Sequence, residues 1–260
     1  MAHDHKAGPL ASFLAVRFSP LILAAALASE APVALAQDST VRVLSLIGAN
    51  SNRTSARTAA LAGGLVLASF ITDKSVRSFI QGNRGKYGDR IASVGNRFGE
   101  PRLIVPLLGA AFLAGKLAGD EGVAGTSVKL AGAMGIAGGI SLLVKFTVGR
   151  ARPTNSRHEV DWFEPFNRSD LFSSFPSGHT AVAFALASTL AHQVHGKWAR
   201  RLFYAGAATT AFARINNDKH WISDVTGGAL VGHFAGKLVT SKRVRITPRP
   251  DGVALTVAFR

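Results

Sequence analysis

Six apolar stretches of helical length constrain this chain most, at about 56–80, 102–118, 125–149, 179–195, 200–216 and 222–240. They are rich in Ala and Gly rather than Leu and Ile, which suits helices packed closely through small side chains. Between the first two, Asp89, Ile91, Val94 and Phe98 predict a further short amphipathic helix near 88–98. Residues 41–47 alternate loosely and predict a strand, and two alternating runs around Pro250-Asp251-Gly252 predict a hairpin. The segment 150–176 is aromatic and Pro-containing without periodicity, so it is a loop. The expected architecture is all-α, a helical bundle with a short C-terminal β-hairpin.

The first 36 residues read as an export leader. Lys6 and Arg17 make it basic, Leu21 to Ala28 form a short apolar stretch, and Ala34-Leu35-Ala36 is an A-x-A site before Gln37. Eight apolar residues between Pro20 and Ser29 fall short of the roughly 20 that a span needs, so cleavage is favoured over an anchor. The expected division is 1–36 signal peptide, 37–242 helical domain and 243–260 hairpin tail, in a chain exported to the periplasm or cell envelope. The 30 Lys and Arg against 15 Asp and Glu give +15, which favours anionic partners. An exported chain argues against nucleic acid as the match for that charge, and no protein partner is indicated. With no Cys, disulfide scaffolds, thiol nucleophiles and cysteine-ligated metals are excluded.

Three segments put unusual polar residues at the ends of apolar helices. In the first, Lys145 and Arg152 are seven residues apart, nearly two turns, and Pro153 disfavours helix at Arg152. Arg152 is therefore expected on the exit strand, curling back toward Lys145 to make an anion clamp. In the second, Pro176-Ser177-Gly178-His179 precedes an apolar run. Ser177 is a good N-cap, Gly178 admits close backbone approach, and free N–H groups of the first turn favour an anion beside His179. In the third, Arg214 precedes His220 and Asp224, which are i and i+4 and neighbours if a helix starts near 220. An Asp holding one ring nitrogen fixes the tautomer and leaves the other as nucleophile or base. Each segment alone is equally an ordinary basic helix end, helix cap or His–Asp pair.

Together they resemble, in order and spacing, the three motifs of the type 2 phosphatidic acid phosphatase superfamily, which also includes bacterial acid phosphatases and vanadium haloperoxidases. The motifs are Lys-x6-Arg-Pro, Pro-Ser-Gly-His and Ser-Arg-x5-His-x3-Asp. Lys145 to Pro153, Pro176 to His179 and Arg214 to Asp224 match with no gap changed, and Ala213 replaces the Ser before Arg214. The resemblance implies a six-helix core and phosphomonoester hydrolysis through a phosphohistidine without a metal or other cofactor. It implies His220 as nucleophile, Asp224 as its orienting partner and His179 as acid and base. Lys145, Arg152, Ser177, Gly178 and Arg214 are implied to bind phosphate.

The apolar helices and basic surplus favour a lipid phosphate or diphosphate and membrane association. The alternatives are a soluble periplasmic nonspecific acid phosphatase and a vanadium-dependent haloperoxidase. Membrane crossing poses a parity problem: with residue 37 outside and every apolar helix crossing, the 150–176 loop falls on the cytoplasmic side. Arg150, inside the first motif but off its fixed positions, is expected at solvent or the substrate mouth. Trp221, Phe172 and Phe175 line that mouth or pack in the core, and His158, His192, His195 and His233 are surface or packing residues.

Overall fold

A computed structural model describes residues 13–18, 53–155, 160–241, 244–249 and 252–258 of the chain, with side chains over 57–155 and 160–241. The leader's apolar stretch and A-x-A site, the strand expected at 41–47, His158 and the turn at 250–251 lie outside the described residues. Seven helices account for most of what is described: α1 (Arg53–Gly82), α2 (Lys86–Phe98), α3 (Pro101–Leu117), α4 (Glu121–Val148), α5 (Gly178–Gln193), α6 (Lys197–Asn216) and α7 (Ile222–Thr240). Three short strands, β1 (Phe13–Phe18), β2 (Val244–Arg249) and β3 (Gly252–Ala258), form an antiparallel sheet in the order β1-β3-β2. The strand β1 lies inside the expected leader, so removal of that leader would strip one edge from the sheet.

Local chemistry explains the helix ends. The Asp120 carboxylate caps α4 by accepting from Gly122 N at 2.9 Å and Val123 N at 3.0 Å. Gly149, at φ 58°, closes α4 in the left-handed conformation that a side chain disfavours. Glu100 and Pro101 open α3.

The bundle is held by small residues. Gly228, Gly232 and Gly236 recur every four positions along α7 and face α5. A Cβ on Gly236 would sit 2.6 Å from the Ser188 Cβ, and one on Gly228 or Gly232 would strike the Ser177 or Ala181 carbonyl. Ala133, Ala137, Ala181, Ala185 and Ala235 fill the core between α4, α5 and α7. Large apolar side chains point outward instead: Leu61, Leu67 and Ile71 on α1, and Leu107 and Leu113 on α3, are exposed. Among the described residues two helices are long and apolar enough to cross a membrane, spanning 57–82 and Glu121–Val148, and α2 with α3 makes a bent third candidate.

The long helices alternate in direction, and this bears on the parity problem. Asp73, near the end of α1, bonds Ser223 at the start of α7, whereas Leu65 lies beside Leu230. The start of α3 meets the start of α5 through Glu100 and His179, and Lys145 ends α4 at the same place. The end of α1, the starts of α3, α5 and α7, and the ends of α4 and α6 thus share one end of the bundle. The start of α1 and the end of α7 lie at the other.

Candidate active site

All three sequence segments converge at that shared end. The described parts of the loop, 150–155 and 160–176, fold over it, tied by Ala151 N to Trp162 O at 2.9 Å, Arg152 N to Leu171 O at 2.8 Å and Ser174 N to Arg150 O at 3.0 Å. Lys145 Nζ donates to the Ser173 carbonyl and approaches that of Ser174 at 3.5 Å. Arg152 lies beyond the helix and reaches back to the same turn, bonding Ser173 Oγ at 2.9 Å and Asp170 Oδ1 at 2.7 Å. The two cations of the first segment therefore meet over Ser173.

Ser177 is the N-cap residue of α5, but its hydroxyl makes no capping bond; it accepts from Thr180 Oγ1 at 2.9 Å, while its N–H donates to Asp224 O at 2.9 Å. A Cβ on Gly178 would meet only the Lys145 Cε, at 3.8 Å, so the first turn of α5 faces Lys145 across open space. The N–H groups there lack intrahelical acceptors by the geometry of a helix start, and they suit an anion. His179 stands on that turn with Nε2 3.3 Å from Glu100 Oε2. Burial lowers its pKa, the Arg214 charge adds to that, and Glu100 opposes both.

The helix α7 begins at Ile222, later than the third segment suggested, because the Asp224 carboxylate bonds Trp221 N at 2.8 Å and makes Trp221 the cap. His220 thus sits on the preceding turn, and the i, i+4 pair still meets, with Nδ1 3.5 Å from Asp224 Oδ2. That is too long for a hydrogen bond, and Nδ1 has no other partner among the described residues. Burial pushes the His220 imidazole down to about 3, with Lys145 and Arg152 acting in the same direction against Asp224. The ring is neutral, with Nε2 on the edge away from the carboxylate. Arg214 bonds Asn96 Oδ1 at 3.1 Å, and its buried Nε has no partner among the described residues. Ala213 is fully buried, so the hydroxyl of the motif Ser is replaced by packing.

Four residues at this end escaped the sequence reading or were misread by it. Arg150 is completely buried, not at solvent or a mouth. Its guanidinium bonds Asp224 Oδ1 at 2.7 Å, Ser223 Oγ at 2.6 Å and Asp73 Oδ2 at 2.7 Å, and lies 4.3 Å from the Phe70 ring centroid. Ser174 Oγ donates to Asp224 Oδ2 at 2.5 Å. Asp73 completes the network by accepting from Ser223 N at 2.9 Å and Ser223 Oγ at 2.6 Å. The available signal for Asp73 was its being the one carboxylate in the long apolar α1, where a charge needs a buried partner. Glu100 gave no such signal. Trp221 and Phe172 are core residues, with the Trp221 indole N–H on Ala151 O at 3.0 Å, and Phe175 packs on Phe70. His192 bonds Ser188 O and His233 bonds the Tyr204 hydroxyl, both away from the site.

Beside His179 and Arg214 opens a polar cavity of about 550 Å³, lined by Arg84, Asp89, Ser93, Asn96, Arg97, Glu100, Leu103 and Asn217. Among the described residues, no group of three His, Asp or Glu side chains gathers in a way that could hold a metal ion.

The chain is similar to known proteins in sequence and in fold. Residues 126–247 match the model of the PAP2 superfamily. The chain is 31% identical over 182 residues to a lipid A 1-phosphatase of Porphyromonas gingivalis, a match that takes in 67% of this chain and 36% of that protein. The chain therefore spans only about a third of that relative's length. Among solved structures, LpxE of Aquifex aeolicus superposes with a TM-score of 0.52 at 22% identity, over 64% of this chain and 93% of that one. A transmembrane PAP2-type phosphatidylglycerolphosphate phosphatase from Bacillus subtilis superposes with a TM-score of 0.55 at 16% identity, over 69% of this chain and 92% of that one. At these identities the likeness of the structures is one of fold. Motifs, matched segment and helical fold agree: the chain belongs to the PAP2, or type 2 phosphatidic acid phosphatase, superfamily.

Proposed function

We propose that the chain is a metal-independent phosphatase of lipid phosphate monoesters or diphosphates, working through a phosphohistidine. The observation that carries this reading is the convergence of a neutral, buried His220 and the unpartnered Arg214 Nε on one cationic pocket with Lys145 and Arg152. The phosphoryl oxygens would lie among Lys145, Arg152 and Arg214, with the Ser177 hydroxyl and Gly178 N–H completing the cradle. Nε2 of His220 attacks phosphorus in line as the bond to the leaving oxygen breaks, and protonated His179 gives that oxygen its proton. Asp224, closing the 3.5 Å gap, stabilises the charge that develops on the ring. In the second step neutral His179 takes a proton from water, the water oxygen bonds phosphorus, and the P–N bond breaks to release phosphate and restore His220. Fixed charges aimed at the transferring group supply most of the stabilisation such a transfer needs.

Lipid substrates are favoured over soluble ones by the two helices of crossing length and the exposed leucines of α1 and α3. The lipid A 1-phosphatase relative suggests a phosphorylated glycolipid among them. We place the protein at the cell envelope in association with a membrane. If α1, α3 and α4 all cross, the site faces the side opposite to residue 53. A cleaved leader and an outward-facing site then exclude one another, and N-terminal sequencing of the mature chain distinguishes them.

The test is phosphate release from lipid phosphates in detergent micelles. His220→Ala is expected to abolish it while the thermal unfolding midpoint stays near the parent's. Vanadate should inhibit competitively and EDTA should have no effect. Near-parental turnover in the His220 variant would remove the nucleophile assignment, and strong EDTA sensitivity would remove the metal-free mechanism.

A further inference from the structure

The helix α2 has three faces: two are used by the bundle, and the third is largely exposed, with the edge of the Phe98 ring over Gly206 of α6. At 100° per residue, Gly88, Ala92, Gly95 and Gly99 form one stripe. It lies against α6, with the Thr210 hydroxyl on Gly95 O at 2.7 Å and Gly99 packed on the His179 carbonyl. Asp89, Ser93, Asn96 and Glu100 form a second stripe, which lines the polar cavity beside the site. Tyr87, Ile91, Val94 and Phe98 form the third, and they are 82%, 49%, 55% and 53% exposed. Four large apolar side chains in register on one open face are not a packing remnant, because the buried face is made of small residues.

We propose that this third face of α2 is a membrane-surface anchor, seating the site end of the bundle in the headgroup layer of an anionic bilayer. Thirteen residues make a helix of about 20 Å, too short to cross, and four of them are charged. The charges fit the interface. Lys86, Arg90 and Arg97 project between the apolar stripe and the cavity stripe, on the flank where anionic headgroups would lie. Asp89, the one acid of α2, is neutralised by Arg84 at 2.8 Å and bonded by Asn216 at 2.8 Å. The next helix, α3, leaves α2 at 47° and carries exposed Leu107 and Leu113. An interfacial α2 leading into a descending α3 accounts for the bend. It also holds the cavity and the oxyanion pocket at the depth where a lipid phosphate sits. The inference rests on the exposed stripe and its flanking charge, not on the catalytic reading.

The chain has no Cys, so single nitroxide labels can be introduced without other changes to the protein. Labels on Ile91→Cys, Val94→Cys and Ser93→Cys would be compared in the full chain reconstituted into vesicles of phosphatidylethanolamine and phosphatidylglycerol. Collision rates with oxygen, which concentrates in lipid, and with a water-soluble nickel chelate are the readout. The expected result is an oxygen-to-nickel ratio severalfold higher at 91 and 94 than at 93. Equal ratios at the three positions overturn the proposal by showing a water-facing stripe. Shielding of 91 and 94 from both reagents overturns it as well, since a second copy or another segment of the chain would then cover the face. The two apolar positions check each other if one variant fails to fold, and a silent phosphatase assay would not alter the outcome.

Discussion

Replacing Arg150 by Met tests the buried network most directly. Methionine keeps an unbranched chain but donates nothing, so Asp73 and Asp224 lose their shared cation. In the parent, Arg150 bonds both carboxylates at 2.7 Å, and all three side chains have no exposed surface. Removing one partner of a buried ion pair costs about 3–5 kcal/mol, a large part of a typical domain stability of about 5–15 kcal/mol. Asp73→Asn keeps the acceptor for Ser223 and removes one charge, so it should cost less, about 1–3 kcal/mol. In the double variant Arg150→Met with Asp73→Asn, one of the two stranded carboxylates is gone. It should therefore be more stable than the sum of the single effects by about 1–3 kcal/mol. Activity should follow geometry: with Asp224 Oδ1 released, His220 loses its fixed neighbour, and phosphate release should fall about a hundredfold in Arg150→Met. Thermal unfolding in detergent, followed by tryptophan fluorescence, gives the energies, because Trp221 packs beside Arg150. Single effects that add to within about 0.5 kcal/mol, or full turnover in Arg150→Met, would refute the coupling.

The charge on Glu100 should set the alkaline limb of activity. It holds the His179 pKa up against burial and Arg214, so Glu100→Gln lowers it further. A general acid must be protonated, so the alkaline limb of kcat/KM, already below the ordinary imidazole value, should move to lower pH in the variant. An unmoved limb would disconnect His179 from leaving-group protonation. His220 should make the fold acid-sensitive: the unfolded ring takes a proton near 6.5, whereas the folded one resists it to about 3. The sign is a loss of stability as pH falls through that window, by up to about 1.4 kcal/mol per unit and none above it, seen as a falling thermal midpoint that His220→Gln flattens. Gly232→Ala drives a Cβ into the Ala181 carbonyl and should cost about 1–3 kcal/mol, whereas Gly138→Ala, with open space around its Cβ, should be neutral or slightly stabilising. Equal midpoints for the two variants would show that close approach of α5 and α7 does not hold the bundle.

Much of this was legible along the chain because helices and their ends are local. Apolar runs mark the elements, and the motif spacings mark Lys145, Arg152, Ser177, His179, Arg214, His220 and Asp224 without reference to anything distant. The amphipathic pattern at 88–98 was visible too, but two periodic classes, apolar and polar, do not reveal three faces. The glycine stripe of α2 acquires its meaning only from the backbone of α6 and α5 that it touches, at the Thr209 and His179 carbonyls.

Tertiary structure decided what is joined through space. Arg150 reads as one more basic residue near a helix end, and its burial depends on Asp73 arriving from 77 residues away. Glu100 reaches His179 across 79 residues, and Asn96 reaches Arg214 across 118. A charge can be buried only where its partners are, and sequence neighbours do not say which distant chain will stand there. The elements of this protein were written locally in its residues. The pairing of its charges, and the end of the bundle at which they gather, follow from how those helices pack.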